Sequence, residues 1–349
     1  MITIVQLVTI WLVLSVGITT LLRPQKRRVR TVVLLFCGVL LVVMALSLLA
    51  LAVYPRSVAS ATPMRVPQNV EDALAQFQQI QANESHVLPE CRSFVLFHGR
   101  RTRICVVLFH GLTTSPRQMR RFADQLYQRG MNVVALRAPF HGEIDPKNTS
   151  RVCHVTHLDS LTPELLMDYA NQAVNLANAL GEQVKVLGQS MGGVLALYVA
   201  SARPELVQVV SVSPGLVPKM FETFSDWQVG CIRNVLCRVH GLFSIDSTEV
   251  VLPYVHTGFS GTSTATLLQV SESVKTARVD NQKVCVVWND SDGTISLSAV
   301  KQYVQRNNIA NTYTFPAAHR LPHDLFDAPG LEEKEATTVY PPLLEILSQ

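Results

Sequence analysis

The chain has 349 residues, of which 48% are hydrophobic and only 16% charged, with a formal net charge of +4 at pH 7. Five positive charges lie between Arg23 and Arg30, so the rest is close to neutral and lacks the basic surface that a nucleic-acid partner needs. The apolar excess is concentrated at the start of the chain.

Ile2 to Leu22 carry no charge, and neither do Thr31 to Tyr54. Each run is long enough to span a bilayer as a helix. The basic residues sit between the two runs rather than before the first, which argues against a cleaved signal peptide. The pattern predicts a two-helix anchor over 1–54 with its basic loop in the cytoplasm. The expected location is the inner membrane, with the remainder of the chain in the periplasm. Residues 55–90 read as a connector with four prolines and a short polar helix over Val70 to Gln81.

From Cys91 to the end, 91–349, strands and helices alternate. Ser93 to His98 and Arg103 to Phe109 read as strands joined by a hairpin turn at Gly99 to Thr102. Pro116 to Gly130 follows as a helix and Asn132 to Leu136 as a strand. A polar loop, Gly142 to Leu161, precedes a helix over Pro163 to Leu180, closed by Gly181. Further strands are expected at Val184 to Leu187, Val207 to Val212, Lys283 to Trp288 and Asn311 to Phe315, with a helix over Ile295 to Gln305. Such alternation implies a mostly parallel sheet covered on both faces. The stretch 214–281 breaks the rhythm and reads as a cap inserted over the site.

Gly188-Gln189-Ser190-Met191-Gly192 is a G-x-S-x-G sequence between an apolar run and a helix-like run. That strand–turn–helix setting is what a serine nucleophile elbow requires. A serine hydroxyl also needs a base, a group to orient the base, and donors for a developing oxyanion. In the order Ser, acid, His, the acid candidate is Asp292, with Asp290 as fallback in the same turn. The base is His319 or His323. His319 lies nearer the last strand, while His323 has apolar neighbours to anchor its loop, and His323 is preferred. The oxyanion donors are expected to be the backbone N–H groups of Leu112, in His110-Gly111-Leu112-Thr113, and of Met191. His98-Gly99 reads as structural, and His141-Gly142 as a pocket or structural loop. His154 and His157 lack a third ligand; no metal and no cofactor are expected.

Of seven cysteines, Cys37 falls in the second apolar run, and Cys105 and Cys285 read as buried thiols. Cys91, Cys153, Cys231 and Cys237 are candidates for disulfides in an oxidising compartment, Cys231 with Cys237 being nearest.

Leu108 to Thr113, Arg137-x-Pro139-x-His141-Gly142, Leu187 to Gly193 and the late Asp and His together resemble the α/β-hydrolase superfamily. The carboxylesterase and monoacylglycerol-lipase-like branch is most similar. The ending, His323 to Asp327 and then Val339-Tyr340-Pro341, resembles membrane-anchored bacterial members, which adds weight to His323. The resemblance implies an α/β-hydrolase fold, a Ser190–His323–Asp292 triad and an acyl-enzyme. It implies an acyl-ester small-molecule or lipid substrate. The N-terminal hairpin would meet the membrane. Thioesterase, amidase or acyltransferase chemistry on the same residues stays open, as does a membrane-tethered binding protein without catalysis. Sequons stand at Asn83, Asn148 and Asn289; a glycan at the last would block the site, which favours a bacterial source.

Overall fold

The structure is a computed structural model and describes residues 65–238, 244–245, 252–256 and 258–349, together with residue 38. Helix α1, Val70–Ala82, opens the described chain, with the Asn69 side chain accepting from the Asp72 N–H as its N-cap. Strand β1 (Phe94–Leu96) and strand β2 (Thr102–Phe109) follow, then helix α2 (Arg120–Gln128) and strand β3 (Asn132–Ala135). A short antiparallel ribbon pairs β4 (Ile144–Asp145) with β5 (Asn148–Val152). Helix α3, Pro163–Leu180, starts with Thr162 as N-cap and proline at its first position, where a missing N–H costs nothing. Strand β6 (Gly181–Gln189), helix α4 (Met191–Ala202), strand β7 (Gln208–Val212) and helix α5 (Asp226–Leu236) come next. A second ribbon pairs β8 (Ser244–Ile245) with β9 (Phe259–Ser260), leading into helix α6 (Gly261–Thr276). Strand β10 (Val284–Asn289), helix α7 (Leu297–Arg306), strand β11 (Thr312–Phe315) and helix α8 (Tyr340–Ser348) complete the order.

Seven strands form the central sheet in the order β1-β3-β2-β6-β7-β10-β11. Only the β1–β3 pair is antiparallel. Side chains alternate across a strand, and β2 shows it: Cys105, Val107 and Phe109 enter one core, Ile104, Val106 and Leu108 the other. The first core is closed by α1, α3, α4, α6 and α7, the second by α2 and α8. Both faces being covered, the strands read as continuous apolar runs rather than alternating ones. Lys185 is a charged exception inside β6. It points into the second core, where its ammonium donates to the Leu347 carbonyl at the C-terminal end of α8, a favourable place for a cation.

Several expectations need correction. No helix among the described residues is long and apolar enough to cross a membrane. This overturns the two-span inner-membrane protein with a periplasmic domain; the apolar runs within 1–54, with Cys37, lie outside the described residues apart from Gly38. The helix expected over Val70 to Gln81 is present as α1, but it packs on the folded unit. Ala73 and Phe77 of α1 enter the first core, and Glu84 just beyond it is buried, accepting from the Ser93 N–H and hydroxyl and from Arg137 Nε. The folded unit therefore takes in most of the segment read as a linker. β1 and β2 do not form a hairpin, because β3 lies between them. Gly181 closes α3 as its C-cap, as the sequence predicts. It is extended, and a Cβ there would lie 2.5 Å from that of Cys105, so glycine allows β6 to approach β2. Within 214–281, α6 places Leu267, Val270 and Val274 in the first core, so that part of the stretch is a crossover helix of the sheet. Cys91, Cys105, Cys153, Cys231, Cys237 and Cys285 are all free thiols.

Candidate active site

Ser190 stands at the C-terminal end of β6 in the middle of the sheet, and α4 begins at the next residue. Its backbone is in the positive-φ region, φ 57° and ψ −113°, a strain of about 1–3 kcal/mol for a residue with a Cβ. Both flanking glycines are sterically required. A Cβ at 188 would lie 2.0 Å from the Gly192 carbonyl oxygen, and one at 192 would lie 2.1 Å from the Phe109 oxygen. The strained turn is tied down from β7, with the Ser190 N–H donating to Val212 O and the Gly215 N–H to Ser190 O.

Asp292 lies in the turn after β10, and its carboxylate is fully buried. Oδ1 accepts the N–H groups of Thr294 and Ile295, and Oδ2 lies 2.7 Å from His323 Nδ1. His323 Nε2 is buried and has no hydrogen-bond partner. Burial opposes ionisation of Asp292, but the hydrogen bond and charge of His323 and the two backbone donors hold it below the usual carboxylate range. Burial likewise pulls His323 down, yet the hydrogen bond and charge of Asp292, with help from Asp324, keep it above its ordinary value.

The structure brings Ser190, His323 and Leu112 to one cavity of about 1040 Å3. Its walls include Leu252, Tyr254, Phe259 and Phe326, with Asp324 among the polar residues that line it. It does not bring His319 there. That residue is exposed in a turn, Ala317–His319, its carbonyl accepting from Lys334. Asp290 is also exposed and bonds the Trp288 indole. In the loop after β2, the Gly111 N–H is already donated to Gln118 Oε1. Neither the Leu112 nor the Met191 N–H is donated to a backbone acceptor among the described residues. His98 stacks on Tyr127, away from the cavity. His157 pairs with Glu143, and no cluster among the described residues has the His, Cys, Asp and Glu groups to hold a metal.

Sequence reasoning missed the side chains that hold the histidine loop. Gln189, the first variable position of G-x-S-x-G, donates to His323 O and accepts the Leu325 N–H. Asn289, read only as a sequon, is fully buried and donates to the carbonyls of Leu321 and Pro322. Both lie in apolar runs, and a buried amide there was the available signal, since such a group needs partners.

A family model described as serine aminopeptidase, S33, matches residues 100–274, half of the chain. The chain belongs to this family. It is a serine hydrolase with an α/β-hydrolase fold. The matched stretch ends before Asp292 and His323, so those two residues stand on geometry. The fold is similar to a structure from work on LipS and LipT, two metagenome-derived lipolytic enzymes, at 16% identity and TM-score 0.55, covering 75% of this chain and 100% of that one. It is also similar to the Paleococcus ferrophilus monoacylglycerol lipase, at 18% identity and TM-score 0.53, covering 73% and 99%. Comparison with curated proteins finds no match.

One pH effect follows from these groups. A histidine that serves as general base works in its neutral form, and with His323 in that role its raised pKa keeps it protonated to higher pH. The acid limb of kcat/KM is therefore expected above pH 6.5, the ordinary value, with activity lost as pH falls through it. Asp324→Asn removes one of the raising charges and should move that limb to lower pH; a limb unchanged in the variant would show that Asp324 does not act on the base.

Proposed function

We propose that this serine hydrolase cleaves carboxylic esters with an apolar acyl part, using Ser190 as nucleophile, His323 as base and Asp292 to orient it. The observation that carries the reading is His323 itself. One ring nitrogen is bonded to a buried carboxylate, and the other is buried without a partner in the cavity that Ser190 lines. In this reading Ser190 Oγ attacks the ester carbonyl carbon while its proton passes to His323 Nε2. The Leu112 and Met191 N–H groups bind the oxyanion. The C–O bond to the leaving alcohol then breaks as His323 returns the proton to that oxygen. Water attacks the acyl-enzyme, giving its proton to the same nitrogen, and the acid leaves as Ser190 is reprotonated.

The apolar walls favour an ester with a hydrocarbon acyl chain, and the solved relatives' names, lipolytic enzyme and monoacylglycerol lipase, agree with it. A second reading, an amide or peptide with a free amino group, agrees with the family's name and has one observation in its favour. Asp324 lines the cavity, its Oδ1 accepting from Gln118 Nε2. Fluorophosphonate labelling of wild type and Ser190→Ala, followed by turnover of p-nitrophenyl esters of graded chain length, acyl thioesters and aminoacyl p-nitroanilides, tests both. Labelling that depends on Ser190 and turnover that favours the esters are expected. Preference for the anilides would replace the ester reading, and an unlabelled, folded wild type would refute Ser190 as nucleophile.

A further inference from the structure

Three consecutive carbonyls of the loop after β2 are held from behind, each by a different histidine. Gly111 O lies 2.8 Å from His110 Nδ1 and also accepts from Thr114. Leu112 O lies 2.8 Å from His141 Nε2. Thr113 O accepts the backbone N–H of His256 at 2.8 Å. The rings stand in a row edge to face, with centroids 5.1 Å apart for His110 and His141 and 5.8 Å for His141 and His256. All three residues are buried. They come from distant parts of the chain: the loop after β2, the loop after β3, and the segment ahead of β9.

Hydrogen bonds decide the tautomer of two of these rings. His110 Nε2 accepts the Ala138 N–H, so its proton is on Nδ1 and is donated to Gly111 O. His256 Nε2 accepts the Gly142 N–H, so its Nδ1–H faces Cys153 O. His141 differs, because both of its nitrogens face carbonyls: Nδ1 is 2.8 Å from Pro139 O and Nε2 is 2.8 Å from Leu112 O. Burial, reinforced by His110, pulls the pKa of His141 down to about 3, so the ring is neutral and has one N–H to give. Leu112 is buried, whereas Pro139 is partly exposed and its carbonyl can be served by water. The single proton is therefore better used on Nε2, toward Leu112.

We propose that His141 is a positioning residue for the oxyanion hole, donating from Nε2 to the Leu112 carbonyl so that the Leu112 N–H is held toward the bound carbonyl oxygen. The inference rests on the reading of Ser190 as nucleophile and Leu112 as oxyanion donor. A trans peptide directs its N–H opposite to its C=O. His110, by holding Gly111 O, sets the plane that carries the Leu112 N–H. His141 holds the next plane, so Leu112 is clamped on both sides and cannot swing its N–H away. The Gly111 N–H, spent on Gln118, is not free to take the place of the Leu112 N–H. A donor fixed in advance costs no reorganisation as charge develops in the transition state, which is where such a clamp acts.

The test uses the full chain as wild type, His141→Phe, which keeps a ring without a donor, and His141→Gln, which keeps an amide donor. Reactive Ser190 is titrated to completion with a fluorophosphonate, and kcat on a short-chain ester is expressed per titrated site. Affinity for a trifluoromethyl ketone, whose serine adduct places an oxyanion in the hole, is measured alongside. His141→Phe is expected to lower kcat per site by about 10- to 100-fold, leave KM within about twofold, and weaken the ketone by the same factor as kcat. His141→Gln should recover much of that loss. Should the Phe variant not fold, His141→Asn, whose amide is too short to reach Leu112 O, is expected to show the same split. Fewer titratable sites or a lower Tm with kcat per site and ketone affinity unchanged would mean a merely structural ring and overturn the proposal. In that case an active, titratable wild type leaves the esterase reading standing. A wild type that does not titrate overturns both.

Discussion

His323→Ala is expected to lower kcat on a short-chain ester by roughly 10^4- to 10^6-fold, the scale seen when the base of such a unit is removed. His319→Ala should leave kcat within about twofold. The contrast comes from position. His323 is tied through Nδ1 to the buried Asp292 and presents an unpartnered Nε2, whereas His319 is exposed in a surface turn. KM should change little in either variant, because a ring that moves a proton in the transition state adds little to binding the ground state. Imidazole added to His323→Ala provides a second check, since it can enter the vacated space and restore part of the rate. A large loss in His319→Ala with full activity in His323→Ala would reverse the assignment.

Asp292→Asn is expected to cost about 10^4-fold in kcat with the fold intact. The reason is a tautomer. Asp292 Oδ1 accepts two backbone N–H groups, from Thr294 and Ile295. An asparagine must keep its carbonyl oxygen on those donors, which turns its NH2 toward His323 Nδ1. That nitrogen then has to accept, the proton moves to Nε2, and Nε2 can no longer take the Ser190 proton. Thermal melting separates this from damage to the loop: the unfolding midpoint should shift by only a few degrees while kcat collapses. The variant should still be covalently modified by a fluorophosphonate, but slowly. A kcat within tenfold of wild type would remove Asp292 from the catalytic unit.

Elements governed by local chemistry were legible in the sequence. Strands β3, β6, β7, β10 and β11 and helices α3 and α7 read closely, because fully buried parallel strands are short apolar runs and the helices carry caps such as Thr162 before Pro163. The turn at Ser190 is legible through its G-x-S-x-G spacing, and Gly188 is required by the Gly192 backbone only four positions on. Connectivity between distant segments was not. The partner of β1 depends on strand order in the sheet, and β3, more than thirty residues on, takes the place a hairpin would give to β2. The docking of α1 depends on Ala73 and Phe77 reaching a core built from residues far along the chain, and Glu84 just beyond it meets Arg137. The apolar runs near the start predicted a membrane protein from hydropathy, and no helix among the described residues is built to cross a bilayer.

By itself the sequence determined the alternating α/β class and the serine turn, together with the short set of residues from which an acid and a base must come. Those features depend on neighbours within a few positions and on the steric limits of the backbone. Only the tertiary structure decided that His323, and not His319, meets Asp292, that Gln189 and Asn289 hold the histidine loop, and that three buried histidines grip the loop of Leu112. Each of these rests on contacts between groups far apart in the chain, whose meeting depends on the path of loops that periodicity does not encode.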